Sequence, residues 1–249
     1  MKISTIRKRL SHVIVCFLIG PILVVACGKI NLSRDWRNAD RSSQNIAPTA
    51  DTEPKAVVQV YAARAFSWRG IFAVHTWIAT KPSGAARYTV HQVVGWREWR
   101  QQRVVVSSED EPDRSWYGNP PELLADIRGE RATQLIPKIV TATLTYPYQY
   151  SYTLWPGPNS NTFIAHVARE VPELGLELPT TAIGKDYLSN GSFVDRAPSG
   201  TGWQLSFFGV AGITLAREEG LELNLMSANF GIDPLDFAIK LPGIGRLGF

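Results

Sequence analysis

Cysteine is nearly missing from this chain. Only Cys16 and Cys27 occur in 249 residues, both close to the N-terminus. A domain built from the remainder has no thiolate nucleophile, no disulfide and no cysteine metal ligand, which removes thiol hydrolases, disulfide-stapled scaffolds and zinc ribbons. A surplus of one charge is missing too. Lys2, Arg7, Lys8 and Arg9 equal the whole formal net charge of +4, so acids and bases balance from Cys27 onward. Without a clustered basic surface, no nucleic-acid partner is expected. Long apolar runs are also absent. Val13 to Cys27 falls short of the about 20 residues that span hydrocarbon, is interrupted by Gly20-Pro21 and is followed by Lys29. There is no internal repeat and no low-complexity tract.

What the N-terminus does have is a basic start, an apolar block and then Val24-Val25-Ala26-Cys27. That order matches an export signal, and its last four residues match a lipobox in which Cys27 is acylated. An uncleaved membrane anchor and an ordinary cleaved signal are the competing readings. The expected organisation is a signal peptide with lipobox, or an anchor, over 1–27, a polar tether over 28–54 on which Trp36 and Ile46 can dock, and a single domain over 55–249. The expected location is the bacterial cell envelope, membrane-anchored and facing the periplasm.

Within the domain, Val57 to Phe66, Ile71 to Ala79, Tyr88 to Val94 and Arg97 to Val106 read as strands. Glu122 to Ile127 reads as the start of a helix, and Glu130 to Leu144 as a helix that Pro137 kinks or restarts. The alternation of Tyr148, Tyr150, Tyr152 and Leu154 predicts a strand. Pro156-Gly157-Pro158-Asn159 predicts a turn, and Asn161 to Glu170 a helix. Pro172 to Gly202 reads as irregular, and its lone Gly200-Thr201-Gly202 as a turn. Gln204 to Phe208, Ile213 to Ala216 and Leu221 to Leu225 then alternate as strands. The fold class expected is α+β: an antiparallel sheet with two or three helices, then a β-rich C-terminal extension.

Two places carry candidate chemistry. A turn centred on Ser83 would set His75 and His91 opposite each other on one face of a hairpin. Downstream, Ser160 falls at a helix start, where free backbone N–H groups near Ser160 and Asn161 could hold an oxyanion. Ser160 would then be the nucleophile, His75 its base and His91 the group that orients the base. Asn159 and Asn161 flank the hydroxyl, and His166 lies along the same helix. The bland readings are equally concrete: Asn159 and Ser160 are favoured helix caps, and His75 sits in a buried-looking strand. A serine–lysine pair would need Lys185 beside Ser160. The spacing of His75, His91 and His166 matches no metal motif, so no metal and no cofactor are expected.

A strand histidine followed by Asn159-Ser160-Asn161 at a helix start resembles the circularly permuted papain-like proteins, including the lecithin:retinol acyltransferase-like and PPPDE peptidase groups. In those groups a cysteine stands where Ser160 stands here, so the resemblance implies either a serine variant or a dead site. The runs Val74 to Ala79, Trp155 to Phe163, Ala182 to Tyr187 and Pro198 to Gly202 resemble an uncharacterised bacterial family, domain of unknown function thirty-seven-fifty, which brings no activity with it. Two functions remain: a non-catalytic binding or structural module with a lipid, peptide or glycan as ligand, or an envelope amide or ester hydrolase or acyltransferase. The missing thiol favours the first.

Overall fold

The computed structural model describes residues 21–25, 27 and 35–248. The first sheet is antiparallel and five-stranded, in the order β4-β3-β2-β1-β5. Its strands are β1 (Val57–Arg64), β2 (Val74–Lys81), β3 (Thr89–Val93), β4 (Val105–Glu109) and β5 (Pro121–Arg128). Helices α1 (Glu130–Thr145) and α2 (Ser160–Glu170) pack on one face. There Val58, Val60 and Ile78 meet Leu135, Ile139, Phe163 and Ile164 in one apolar core. The opposite face carries Tyr61, Trp77, Trp116 and their neighbours, with Ile46, Ala47 and Ala50 laid over them. With both faces covered, β1 is apolar almost throughout instead of alternating.

The segment expected to be tether is therefore partly strap. Asp113 fixes it, accepting from the Ser43 hydroxyl at 2.7 Å and from the Ile46 and Ala47 amides at 2.5 and 3.0 Å. Lys81 fixes it further on. Its buried ammonium donates to the carbonyls of Glu53, Lys55 and Pro82, so all three of its N–H groups have a partner.

Several local expectations are corrected. Glu122 to Ile127 is not helical but lies in β5, paired with β1 across a register shift at Val60/Tyr61. Leu123 joins the strap-side cluster while Leu124 joins the helix-side core, as successive strand residues must. Residues Gly95–Arg100 form a 3₁₀ turn, so the fourth strand begins only at Val105. Tyr148 to Leu154 forms no strand. Tyr148 and Tyr152 pack against the core while Tyr150 and Leu154 are exposed, although in a strand all four would share one face. Pro137 starts no new helix and lies inside α1.

The C-terminal region is an antiparallel meander of seven strands in sequence order. They are β6 (Val194–Arg196), β7 (Gly202–Phe207), β8 (Ala211–Ala216), β9 (Gly220–Leu225), β10 (Ala228–Asp233), β11 (Ala238–Leu241) and β12 (Gly245–Gly248). The register aligns Trp203, Leu215, Leu221, Ile232, Ile239 and Leu247 in one row across six strands. A second row runs Val194, Leu205, Ile213, Leu223, Phe230. These rows point away from the rest of the molecule, and Trp203 is 62% exposed. The intervening row, Gln204, Thr214, Glu222, Gly231, Lys240 and Arg246, points inward. Glu222 and Lys240 are each 1% exposed. The sheet thus buries its polar face and exposes its apolar one.

Candidate functional site

Helix α2 begins where the sequence predicts, with Ser160 as its first residue. Its entry is tightly organised. The Asn159 carboxamide oxygen accepts from the Asn161 and Thr162 amides at 2.9 and 3.2 Å, and the Thr162 hydroxyl accepts from the Asn159 amide at 3.1 Å, a closed capping box. The Asn159 carboxamide nitrogen donates to the carbonyls of Leu154 and Ile183. Asn161 donates to the carbonyls of Val74 and Ile183 and accepts from the Thr76 hydroxyl at 2.9 Å. Gly184 is needed here: its φ is +102° and a β-carbon on it would fall 2.3 Å from the Asn159 side chain. Together these bonds clamp β2, the helix start and the 183–184 turn. They also occupy the Asn161 and Thr162 amides, two of the donors an oxyanion would use.

His75 is not part of this cluster. Alternation along β2 sends Thr76 toward Ser160 and Asn161 and sends His75 to the strap side, with its strand partner Ala63. There its ring stacks on Trp116 with centroids 3.6 Å apart, and Nε2 lies 3.3 Å from the Gln92 carboxamide oxygen. Burial pushes its pKa down to about 3, which leaves a neutral imidazole and a weak base at neutral pH. His75 and Ser160 therefore meet opposite faces of one strand. Ser160 is itself buried, at 7% exposure.

The expected pairing of His75 with His91 is also corrected. Ile78 faces His91 and Thr80 faces Thr89, because the β2–β3 connection is longer on its β3 side than a turn centred on Ser83 allows. The register is offset by an odd number of residues, which moves His91 to the helix side. His91 bonds the Thr80 hydroxyl through Nε2 at 3.0 Å and the Ser107 hydroxyl through Nδ1 at 2.8 Å. Burial lowers its pKa to about 4. His166 lies in a third place, with Nδ1 at 2.9 Å from the Ser189 hydroxyl and its ring against Tyr146. Its pKa is also lowered by burial. Among the described residues no three His, Cys, Asp or Glu side chains converge as metal ligands.

Cys27 is exposed and follows the helical residues 21–25, and most of the segment expected to be a signal, 1–20 with Ala26, lies outside the described residues. No helix among the described residues is long and apolar enough to cross a membrane.

The polar cluster that residue types alone did not reveal lies under the second sheet. Lys185 is buried and bonds Glu222, not Ser160. Burial alone would lower the Lys185 pKa, but the carboxylates of Glu222 and Asp186 leave it raised. Glu222 also holds Lys240 at 3.0 Å, and Lys240 reaches Glu177 at 2.5 Å. Asp186 accepts from Gln204 at 2.5 Å and from Asn229 at 2.7 Å, and burial raises its pKa. The only hint of this cluster in the sequence is the charge and amide at alternate positions of Leu221-Glu222-Leu223-Asn224-Leu225.

Two surface depressions, one lined by Pro137, Lys138, Thr141, Ala142, Thr145 and Glu170 and one by Asp35, Asn38, Ala39, Asp40 and Gly118, include neither Ser160 nor a histidine. No curated protein and no solved structure matches the chain. The matched region runs from the end of the strap to Tyr187, covering the first sheet, both helices and the Asn159 clamp, and on this match over residues 55–187 the chain belongs to the family described as Protein of unknown function (DUF3750).

Proposed function

We propose that this chain is a non-catalytic binding or structural module of the bacterial cell envelope, held at the membrane through its N-terminal segment. The observation that carries the non-catalytic reading is the separation of His75 and Ser160 onto opposite faces of β2. A general base must come within hydrogen-bond reach of the proton it removes, directly or through one water, and alternation along the strand prevents that here. In this reading Asn159 and Asn161 hold the helix entry, and His75 and His91 fill buried positions as neutral rings. The basic start, apolar block and Cys27 support the membrane attachment.

A broad fluorophosphonate probe tests the first part. Purified full-length chain is expected to show no labelled serine, and labelling at Ser160 that Ser160→Ala removes would overturn the proposal. Globomycin tests the attachment. Accumulation of an unprocessed precursor in the membrane fraction is expected, and an unaffected mature chain in the soluble fraction would refute anchoring through Cys27.

A second reading keeps serine hydrolase chemistry and moves it to Ser189 and His166, favoured by their 2.9 Å contact. Against it, His166 Nε2 is buried with no carboxylate bonded to it, and burial lowers the pKa of the ring. The same probe decides, through a label at Ser189.

A further inference from the structure

We infer that the outward face of the seven-stranded sheet is an interface between two copies of this chain. The face is built from the two apolar rows described above together with Phe207, Ala211, Leu225 and Ala228, and its one charged strand residue is Arg196, in edge strand β6. Seven strands of three to six residues, at about 4.8 Å spacing and about 3.4 Å rise per residue, give roughly 570 Å² of sheet per copy. Side-chain relief adds to that figure. Two such faces reach the roughly 1,200–2,000 Å² of a specific interface, and a single uninterrupted apolar patch of this size is at or beyond the upper end for a monomer surface.

The geometry of the face selects its occupant. Among the described residues, strands β6 and β12 each pair on one side only, which leaves the sheet two open edges. Hydrocarbon does not tolerate unpaired strand edges, and a bilayer receiving this face would take in those edges, with Arg196 in β6. A second sheet about 10 Å away covers the apolar rows and leaves both edges in water. The face also carries no pattern of charges by which a different protein would be recognised. What it offers is size and apolar rows that can meet their own copies. Strand β9 is the middle of the seven and Leu223 is central in it, which puts the two-fold axis of a self-complementary pair near Leu223.

Sedimentation velocity on the full-length chain in mild detergent tests this. The expected result is a two-chain mass, falling to one chain in a Leu215→Glu, Leu223→Glu double variant that keeps its far-ultraviolet circular dichroism. A one-chain mass for the unaltered protein, or a two-chain mass in both, would overturn the inference. Should the double variant fail to fold, a photoreactive p-benzoylphenylalanine at Leu223 replaces it in cells. An adduct of twice the chain mass, mapped to β7–β10 of the same sequence, supports the pairing. A lipid adduct, an adduct with another protein, or none refutes it.

Discussion

In the five-stranded sheet the apolar rows face helices on one side and a strap on the other. In the seven-stranded sheet they face outward, and a row of Gln204, Glu222 and Lys240 faces the molecule. Both sheets are antiparallel and both are made of short strands, so local backbone preference does not separate them. What separates them is where the counterpart surface comes from. The first sheet finds its apolar partner within its own chain. The second meets the chain through Lys185, Asp186 and Arg169, and among the described residues nothing covers its apolar rows.

The comparison breaks hardest at Glu222. Removing this carboxylate leaves Lys185 and Lys240 facing each other in a buried site. Glu222→Ala is expected to cost about 3–5 kcal/mol in urea-induced unfolding. A loss below about 1 kcal/mol would mean that the polar seam is wet and carries little.

Acid acts on the other sheet. His75 and His91 have folded pKa values of about 3 and about 4, below the unfolded 6.5. Below pH 6.5 the unfolded chain binds more protons than the folded one, so stability falls with pH down to the folded values. For His75 this amounts to about 3 kcal/mol between pH 7 and pH 4. Asp186 has the opposite sign: its raised folded pKa contributes stability below its unfolded pKa, and that contribution is lost as pH rises through the folded pKa. Hydrogen exchange at pH 4 is expected to show β2 and β3 opening before β9. The reverse order would show that the histidines are not the groups that titrate.

Smaller effects sharpen the contrast. Asn159→Ala removes the cap and is expected to cost about 1–2 kcal/mol, seen as a lower melting temperature with no change in chain mass. Ile232→Ala, on the outward face, is expected to change the unfolding of a single chain by no more than about 0.5 kcal/mol. A larger cost measured on single chains would show that this face is covered by its own chain.

The sequence made most elements legible because most carry a local signal. The turn at Pro156 to Asn159, the helix behind it and the hairpins of the C-terminal region are set by residues close in the chain. Strand β5 escaped because its residues suit a helix and only the ladder offered by β1 decides otherwise. The His75–His91 register escaped because the connection is not symmetric about Ser83, and an odd offset sends a side chain to the opposite face. Alternation at Leu221 to Leu225 revealed two faces but not which one is inside. That choice depends on Lys185 and Asp186, far away in sequence. The candidate site was legible as a helix entry, in that Asn159 and Ser160 have the residue types of a cap. It was not legible as a pair, because pairing with His75 depended on the parity of a distant strand.

The junction beneath the meander is held by ions and amides instead of hydrocarbon, and its Lys185 and Asp186 stand at the end of the family match, which closes at Tyr187. Ionic and amide groups can trade one another for solvent with far less penalty than a greasy core can. The C-terminal portion is in that sense detachable: its loss would strip few apolar atoms from what remains, and a lineage could gain or shed it without rebuilding the compact unit to which it is fastened.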